Sequence, residues 1–148
     1  MRVRPITILT AVSLLVVGCE TKDAPVEGLR RERFPAILSV GGQAVEVTSR
    51  DTVRIGMPLT LRVLSFGSSG CVGVGETDVT VRGLSAEVRP YRYELVGGAC
   101  QAIVLGLEHV VTLQFGDTGT ATIRVVGNAL PAAMAGATII RTVQVVGR

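Results

Sequence analysis

Short runs in which apolar and polar residues alternate recur along most of this chain. Residues 45–48, 59–64 and 79–82 show the pattern, and it returns over residues 120–126 and 138–146. A period of two places successive side chains on opposite faces of an extended backbone. Each run therefore predicts a strand with one face in a core and the other in solvent.

Turn signals separate these runs, and helical patterns are scarce. The chain has 18 glycines, among them the pairs at 41–42 and 97–98, where a turn with positive φ costs little. Only residues 100–107 suit a helical turn, and Gly106 interrupts it. Short strands joined by turns predict an all-β fold, namely an antiparallel β-sandwich of about seven to nine strands, with a small β-barrel as the alternative.

The first 18 residues have the layout of an export signal. Arg2 and Arg4 stand before an apolar run, residues 6–17, that contains no charged side chain. A helix that spans a bilayer needs about 20 apolar residues, so this run is too short for a permanent anchor. The sequence therefore predicts that residues 1–18 are removed on export.

The end of this run resembles the lipobox of bacterial lipoproteins. Val16, Val17, Gly18 and Cys19 supply an aliphatic residue, a tolerated second position, a small residue and the cysteine, although the family more often has Leu first. The resemblance implies that the Cys19 thiolate takes a diacylglycerol. An ordinary secretory signal, with Cys19 as a free thiol, is the alternative. Glu20 stands where Asp is the inner-membrane retention signal of enteric bacteria, so the family rule favours the outer membrane.

A polar segment separates the cysteine from the first alternating run. Residues 19–33 are charged and without a period, which predicts a flexible tether, and one domain is expected over residues 34–148. The whole chain has 15 Lys and Arg residues and 12 Asp and Glu. Arg2 and Arg4 leave with the signal, so 13 positive side chains remain against 12 negative ones. We expect no nucleic-acid partner, because such a partner requires a clustered basic face.

Cys71 and Cys100 remain once Cys19 is assigned to lipid. An even pair of cysteines in an oxidising compartment predicts a disulfide. A metal site is the rival interpretation, but His109 is the only histidine and leaves too few ligands for zinc. We therefore expect a disulfide between Cys71 and Cys100, no metal and no cofactor.

The C-terminal part of the chain resembles the last two strands of bacterial immunoglobulin-like domains. Residues 117–127 contain the Gly-x-Ala-x-Ile/Val-x-Val pattern, and residues 141–146 stand where the closing strand follows. The resemblance covers about a fifth of the chain and implies an immunoglobulin-like sandwich without implying an activity.

Two features have a superficial likeness to catalytic machinery. Asp117, Thr118 and Gly119 resemble the active-site loop of aspartic proteases, but that family has Ala or Ser next and needs a flap and further strands. A turn in which Asp117 bonds its own backbone and Gly119 takes positive φ is favoured instead. His109, beside Glu108, has no recognisable nucleophile marked in the sequence. No catalytic residue is predicted.

Three segments have the composition of loops or contact surfaces. Residues 67–75 are glycine-rich but lack the Lys-Ser/Thr ending of a phosphate loop, which favours a mobile loop tied by the disulfide. Tyr91, Arg92 and Tyr93 place two tyrosines on one strand face, which forms a contact patch if exposed and core if buried. Residues 128–137 form an apolar loop that packs on the sandwich, meets lipid or docks a partner, the first being favoured.

These features together predict a lipid-anchored β-sandwich module with a binding or scaffolding role in the cell envelope. Its expected partners are the membrane, through the lipid on Cys19, and an envelope protein. The alternatives are an envelope hydrolase that uses Asp117 or His109 and a structural subunit of an envelope complex. We expect no enzymatic activity, because no catalytic constellation is recognisable in the sequence.

Overall fold

The computed structural model describes residues 29–131 and 136–147, and this part of the chain is all-β, as the sequence predicts. The predicted signal segment, Cys19 and most of the predicted tether lie outside these residues. Eleven strands follow one another in the order β1 (Arg30–Pro35), β2 (Ile37–Val40), β3 (Gln43–Ala44), β4 (Val47–Thr48), β5 (Thr52–Arg54), β6 (Leu59–Gly67), β7 (Val72–Arg82), β8 (Ser85–Val96), β9 (Leu105–Leu113), β10 (Gly119–Leu130) and β11 (Ala137–Val146).

The strands form one curled sheet whose two halves face each other across a single core. The first half contains β7, β8, β1, β11, β5 and most of β10. The second contains β9, β6, β4, β2 and β3, together with the last residues of β10. The predicted sandwich is thus present. It has more strands than expected, because β3 and β5 are too short to show a period.

Strand β10 joins the two halves of the sheet. It pairs antiparallel with β11 from Gly119 to Gly127, and then parallel with β2 through Asn128 and Leu130. A Cβ atom on Gly127 would lie 2.5 Å from the carbonyl oxygen of Ala36, so only glycine allows this close crossing. Parallel pairs also join β10 to β8 and β11 to β5. Most pairs of the described strands are antiparallel, as the sequence predicts, and the three parallel pairs arise because strands that return from the opposite half enter in the same direction.

The core lies between the two halves and contains the apolar side of each alternating run. The buried cluster consists of Ala36, Leu38, Val45, Val53, Leu59, Leu61, Val63, Ala86, Val88, Leu113, Phe115, Ala121, Ile123, Val125, Val143 and Val145. Fully burying a Val, Leu, Ile or Phe side chain contributes about 1.5–3 kcal/mol each before the cost of chain entropy. This cluster fixes the register of every strand that contributes to it.

Two sequence expectations about connections are corrected. The helical turn considered for residues 100–107 is absent, because residues 97–104 are irregular and Leu105 already begins β9. The glycine-rich stretch 67–75 is mostly strand, since β6 ends at Gly67 and β7 begins at Val72. Gly75 serves strand pairing there, because a bulge in β7 brings it against the β8 backbone.

The domain also begins earlier than the sequence suggests. The tether was expected to extend to Arg33, whereas Arg30 already pairs with Val96 in β8 and the ladder continues to Pro35. A run of charged residues shows no apolar period, so pairing to a strand distant in sequence was not visible. The domain boundary expected at Phe34 therefore falls inside β1, four residues after that strand begins.

The connections cluster at two ends of the molecule. At one end, which we call the tether end, Leu29 leads into β1 beside Gly98, and the turns at 41–42 and 67–71 lie near the segment 97–104. At the other, the far end, the backbone of Gly56 bonds Phe115 and the turn at 83–84 lies beside Asp117. The chain thus enters the domain at the end that carries the two cysteines.

Candidate functional site

A disulfide joins the two cysteines of the domain at the tether end. The Sγ atoms of Cys71 and Cys100 are 2.01 Å apart and the two Cα atoms 5.6 Å apart. The predicted pairing is therefore present. It links the start of β7 to the segment between β8 and β9, and the backbone of Gly70 bonds Gln101 beside it at 2.8 Å.

Ser65 and His109 form a polar pair inside the core. The Ser65 Oγ atom lies 2.9 Å from Nε2 of His109, and the two residues are 0% and 2% exposed. Ser65 Oγ also donates to the carbonyl oxygen of Leu107 at 3.2 Å, which uses its only proton. Nε2 must then carry the ring proton and donate it to Ser65. On the other side of the ring, Nδ1 lies 3.4 Å from Oγ1 of Thr77, whose hydroxyl donates to it.

This network holds a neutral imidazole and satisfies every polar atom in it. Burial lowers the pKa of His109, because an imidazolium would lose its hydration within the core. A nucleophilic serine would require Nε2 to accept the Ser65 proton, whereas here the proton runs the opposite way. The third member is the Thr77 hydroxyl rather than a carboxylate. The arrangement therefore joins β6, β7 and β9 through side-chain hydrogen bonds.

The sequence placed His109 among the candidates but missed Ser65. Ser65 continues the inward series of Leu61 and Val63, so it occupies a core position by the period of β6. His109 likewise lies between the inward residues Leu107 and Val111 of β9. A polar residue at an inward position on each of two strands was the available signal for a buried hydrogen-bonded pair.

The other residues considered for catalysis are separated from this pair. Glu108 points to the opposite side of β9, where its carboxylate accepts from Arg62 at 2.8 Å. Asp117 is exposed in the turn between β9 and β10, and Gly119 has φ of 136°, as expected for that turn. The structure therefore does not bring Asp117, Glu108 and His109 into one site.

The outer face of the first half carries two tyrosines covered by arginines. The guanidinium of Arg33 lies 3.6 Å from the centroid of the Tyr91 ring, and that of Arg31 lies 3.9 Å from the Tyr93 ring. Arg33 also reaches Asp78 on β7 at 3.0 Å. We call Arg31, Arg33, Tyr91 and Tyr93 the tyrosine–arginine face. Its stacked geometry combines cation–π contact with a salt bridge, which orders side chains that are otherwise mobile.

Arg92 lies on the side of β8 opposite the two tyrosines. Its Nε donates to Glu94 at 2.7 Å, its guanidinium also bonds the carbonyl oxygen of Pro35, and its side chain is only 12% exposed. Of the predicted contact patch, Tyr91 and Tyr93 are thus half-buried on the outer face, and Arg92 braces β1 from the inner side. The sequence missed Arg31 and Arg33, because it assigned them to the tether.

An apolar pocket of about 250 Å³ opens at the tether end. Ile37, Phe66 and Leu130 form its floor and walls, and Val40 and Val104 stand at its rim. Val104 is 81% exposed, which makes it the most exposed large apolar side chain of the described residues. The sequence predicts an apolar loop over residues 128–137, but residues 128–130 are instead the end of β10, which pairs with β2 and brings Leu130 to the pocket, and residues 132–135 lie outside the described part.

No membrane helix or metal site in the described residues, and no relative of the chain, points to a function. Neither described segment contains a helix of the length and hydropathy needed to cross a bilayer. Within the same residues, no three His, Cys, Asp or Glu side chains are grouped to bind a metal ion. No protein-family model, curated protein or solved structure matches this chain.

Proposed function

We propose that this chain is a lipid-anchored module of the bacterial cell envelope that binds or scaffolds a protein partner. The lipobox resemblance at residues 16–19 supplies the anchor, a short tether follows, and a β-sandwich is held at the outer side of a membrane. The outer membrane is favoured by Glu20. The proposal assigns no catalytic step to the domain.

The disulfide between Cys71 and Cys100, which leaves Cys19 as the third cysteine of the sequence, is the observation that carries this proposal. Cys71 and Cys100 satisfy each other in a disulfide, a bond that persists in exported proteins. Cys19 is the remaining cysteine of the sequence. A thiol at the end of an apolar export signal, with no partner left in the chain, is the arrangement that lipid modification requires.

The tyrosine–arginine face supports the binding role. Tyrosine and arginine are the side chains enriched at the centres of protein interfaces. Here Tyr91 and Tyr93 are ordered by the guanidinium groups stacked on them, so a partner would lose little side-chain entropy on docking. The face lies on β1 and β8, immediately after the tether.

Metabolic labelling with an alkyne analogue of palmitate tests the anchor. We expect label on the wild-type chain expressed in a diderm host, and none on Cys19→Ser. The matched control is the double variant Cys71→Ser/Cys100→Ser, which should keep the label although it loses the disulfide. An unlabelled wild-type chain, or label retained by Cys19→Ser, would contradict the proposal.

Affinity capture of the lipidated chain from detergent extracts tests the binding role. We expect a stoichiometric protein partner with the wild type and its loss with Tyr91→Ala/Tyr93→Ala. Thr142→Ala, on an exposed position of β11, is the control that should keep the partner. Recovery of a bare monomer from the wild-type extract would contradict this role, and a multi-subunit assembly that survives the tyrosine variant would favour the structural-subunit alternative.

A further inference from the structure

Apart from Arg30 at the start of β1, the turns and strand termini at the tether end of the domain lack charge. Residues 39–45, 66–75, 95–107 and 127–131, which form its turns and strand termini, contain no Asp, Glu, Lys or Arg. The far end is different, with Arg50, Asp51, Arg54, Arg82 and Asp117 in or beside its turns. Exposed connections are normally polar. An uncharged set of turns at one end of a domain therefore indicates that this end contacts something other than bulk water.

The same end exposes apolar side chains. Val104 is 81% exposed, Leu95 45%, Leu29 44% and Val40 41%. Val104 and Val40 line the apolar pocket, Leu95 bonds Cys71 through its backbone and Leu29 lies against Gly98, in segments that hydrogen bonds and the disulfide hold together. Gly41 N donates to the carbonyl oxygen of Leu130, for example, at 2.9 Å. The surface is therefore a fixed apolar platform.

The position of the tether indicates that the surface this platform contacts is the membrane. The chain enters the fold at Leu29, on the platform itself, and nine residues separate Leu29 from Cys19. Even fully extended, this segment reaches about 35 Å, which keeps the platform close to the membrane that holds the lipid. A tether this short also raises the effective concentration of the platform at that surface to the order of millimolar, so a weak contact is populated.

We propose that the tether end is a membrane-contact surface that rests on the lipid bilayer, with Val104, Val40, Leu95 and Leu29 at the acyl boundary. This deepens the proposed function and rests on it. The first charged residues after Leu29 are Arg30 and Arg31, which pair with Val96 and Leu95 and whose long side chains reach from there to the phosphate level of the bilayer. The tyrosine–arginine face would then stand upright beside the membrane, accessible to an envelope partner.

Tryptophan reporters test the orientation directly, because the chain has no Trp of its own. Val104→Trp places the only tryptophan on the platform. Met57→Trp is the matched control, since Met57 is 55% exposed at the far end. The mature chain is coupled through Cys19 to a maleimide phospholipid in vesicles of phosphatidylethanolamine and phosphatidylglycerol whose acyl chains carry bromine, a contact quencher.

We expect the Val104→Trp emission to shift to shorter wavelength and to be quenched by the brominated vesicles, while Met57→Trp emission stays as in buffer. A second reporter, Leu95→Trp, guards against misfolding of the first variant and should behave like it. Equal emission and quenching at both ends would overturn the inference and leave a protein partner as the occupant of the platform. Chemical coupling keeps this outcome separate from failure of natural acylation, which the palmitate label measures.

Discussion

Ser65 and His109 meet in the core of the sandwich, where Oγ and Nε2 lie 2.9 Å apart with neither side chain open to solvent. The two groups have the spacing of a nucleophile and its base, but the proton on Nε2 points toward the serine, whose own proton is held by Leu107. These hydrogen bonds do not activate Ser65 as a nucleophile, and the role of the pair is structural. It also makes the domain sensitive to acid.

His109 should make stability depend on pH. Burial lowers its pKa below the usual value of 6.5, so the unfolded chain binds a proton before the folded chain does. The free energy of unfolding then has its highest value above about pH 6.5. It falls as the pH is lowered through that value, by at most about 1.4 kcal/mol per pH unit. Urea titrations at pH 7.5, 6.5 and 5.5 measure this. His109→Gln, which removes the only histidine, should flatten the slope; an unchanged slope would show that the buried imidazole is not responsible.

A double-mutant cycle should reveal coupling between Ser65 and His109. Ser65→Ala leaves the buried Nε2 proton without an acceptor, which costs about 1–3 kcal/mol. In the His109→Leu background there is no such proton, so the same serine change should cost less. The expected coupling energy is about 0.5–3 kcal/mol from urea unfolding at pH 7.5. Strictly additive losses would mean that the hydrogen bond has no energetic weight.

Removal of the disulfide should destabilise the domain substantially. Cys71 and Cys100 are 29 residues apart in sequence, and loop-closure entropy predicts a loss of about 3–4 kcal/mol for Cys71→Ser/Cys100→Ser. Denaturation of the wild type with and without dithiothreitol provides the control. The reductant should reproduce the loss in the wild type and have no effect on the variant.

Gly75 and Gly73 should respond differently to alanine. A Cβ atom at Gly75 would lie 2.5 Å from the carbonyl oxygen of Tyr91, whereas one at Gly73 would meet nothing within 4 Å. Gly75→Ala should therefore lower the free energy of unfolding by about 1–3 kcal/mol through displacement of the β7–β8 ladder. Gly73→Ala should change it by about 0.5 kcal/mol or less. Comparable effects at the two positions would place the bulge of β7 elsewhere.

The sequence predicted those parts of the fold that local patterns encode. Alternation over 120–126 and 138–146 anticipated strands β10 and β11, and the paired glycines marked turns such as 41–42, where both residues have positive φ. The cysteine pair was equally accessible, because only two cysteines remained after Cys19. Each of these inferences depends on spacing within a short stretch of chain.

The structural features that the sequence did not predict depend on contacts between residues that are distant in the chain. Arg31 and Arg33 look like tether until Tyr93 and Tyr91, 62 and 58 positions later, are placed beneath them. The pairing of Ser65 with His109 likewise requires the register of β6 and β9, which no local period encodes. The parallel entry of β2 beside β10 depends on how the sheet curls. Such features follow from the closed fold and from no single segment.

The central claim is that Cys19 takes lipid while Cys71 and Cys100 bind each other. The intact mass of the chain purified from membranes in detergent tests it most directly. The account predicts a polypeptide that begins at Cys19, carries acyl groups there and exposes no free thiol until reduction, which then releases two. A polypeptide that begins at another residue, or one whose Cys19 titrates as a free thiol, would contradict it.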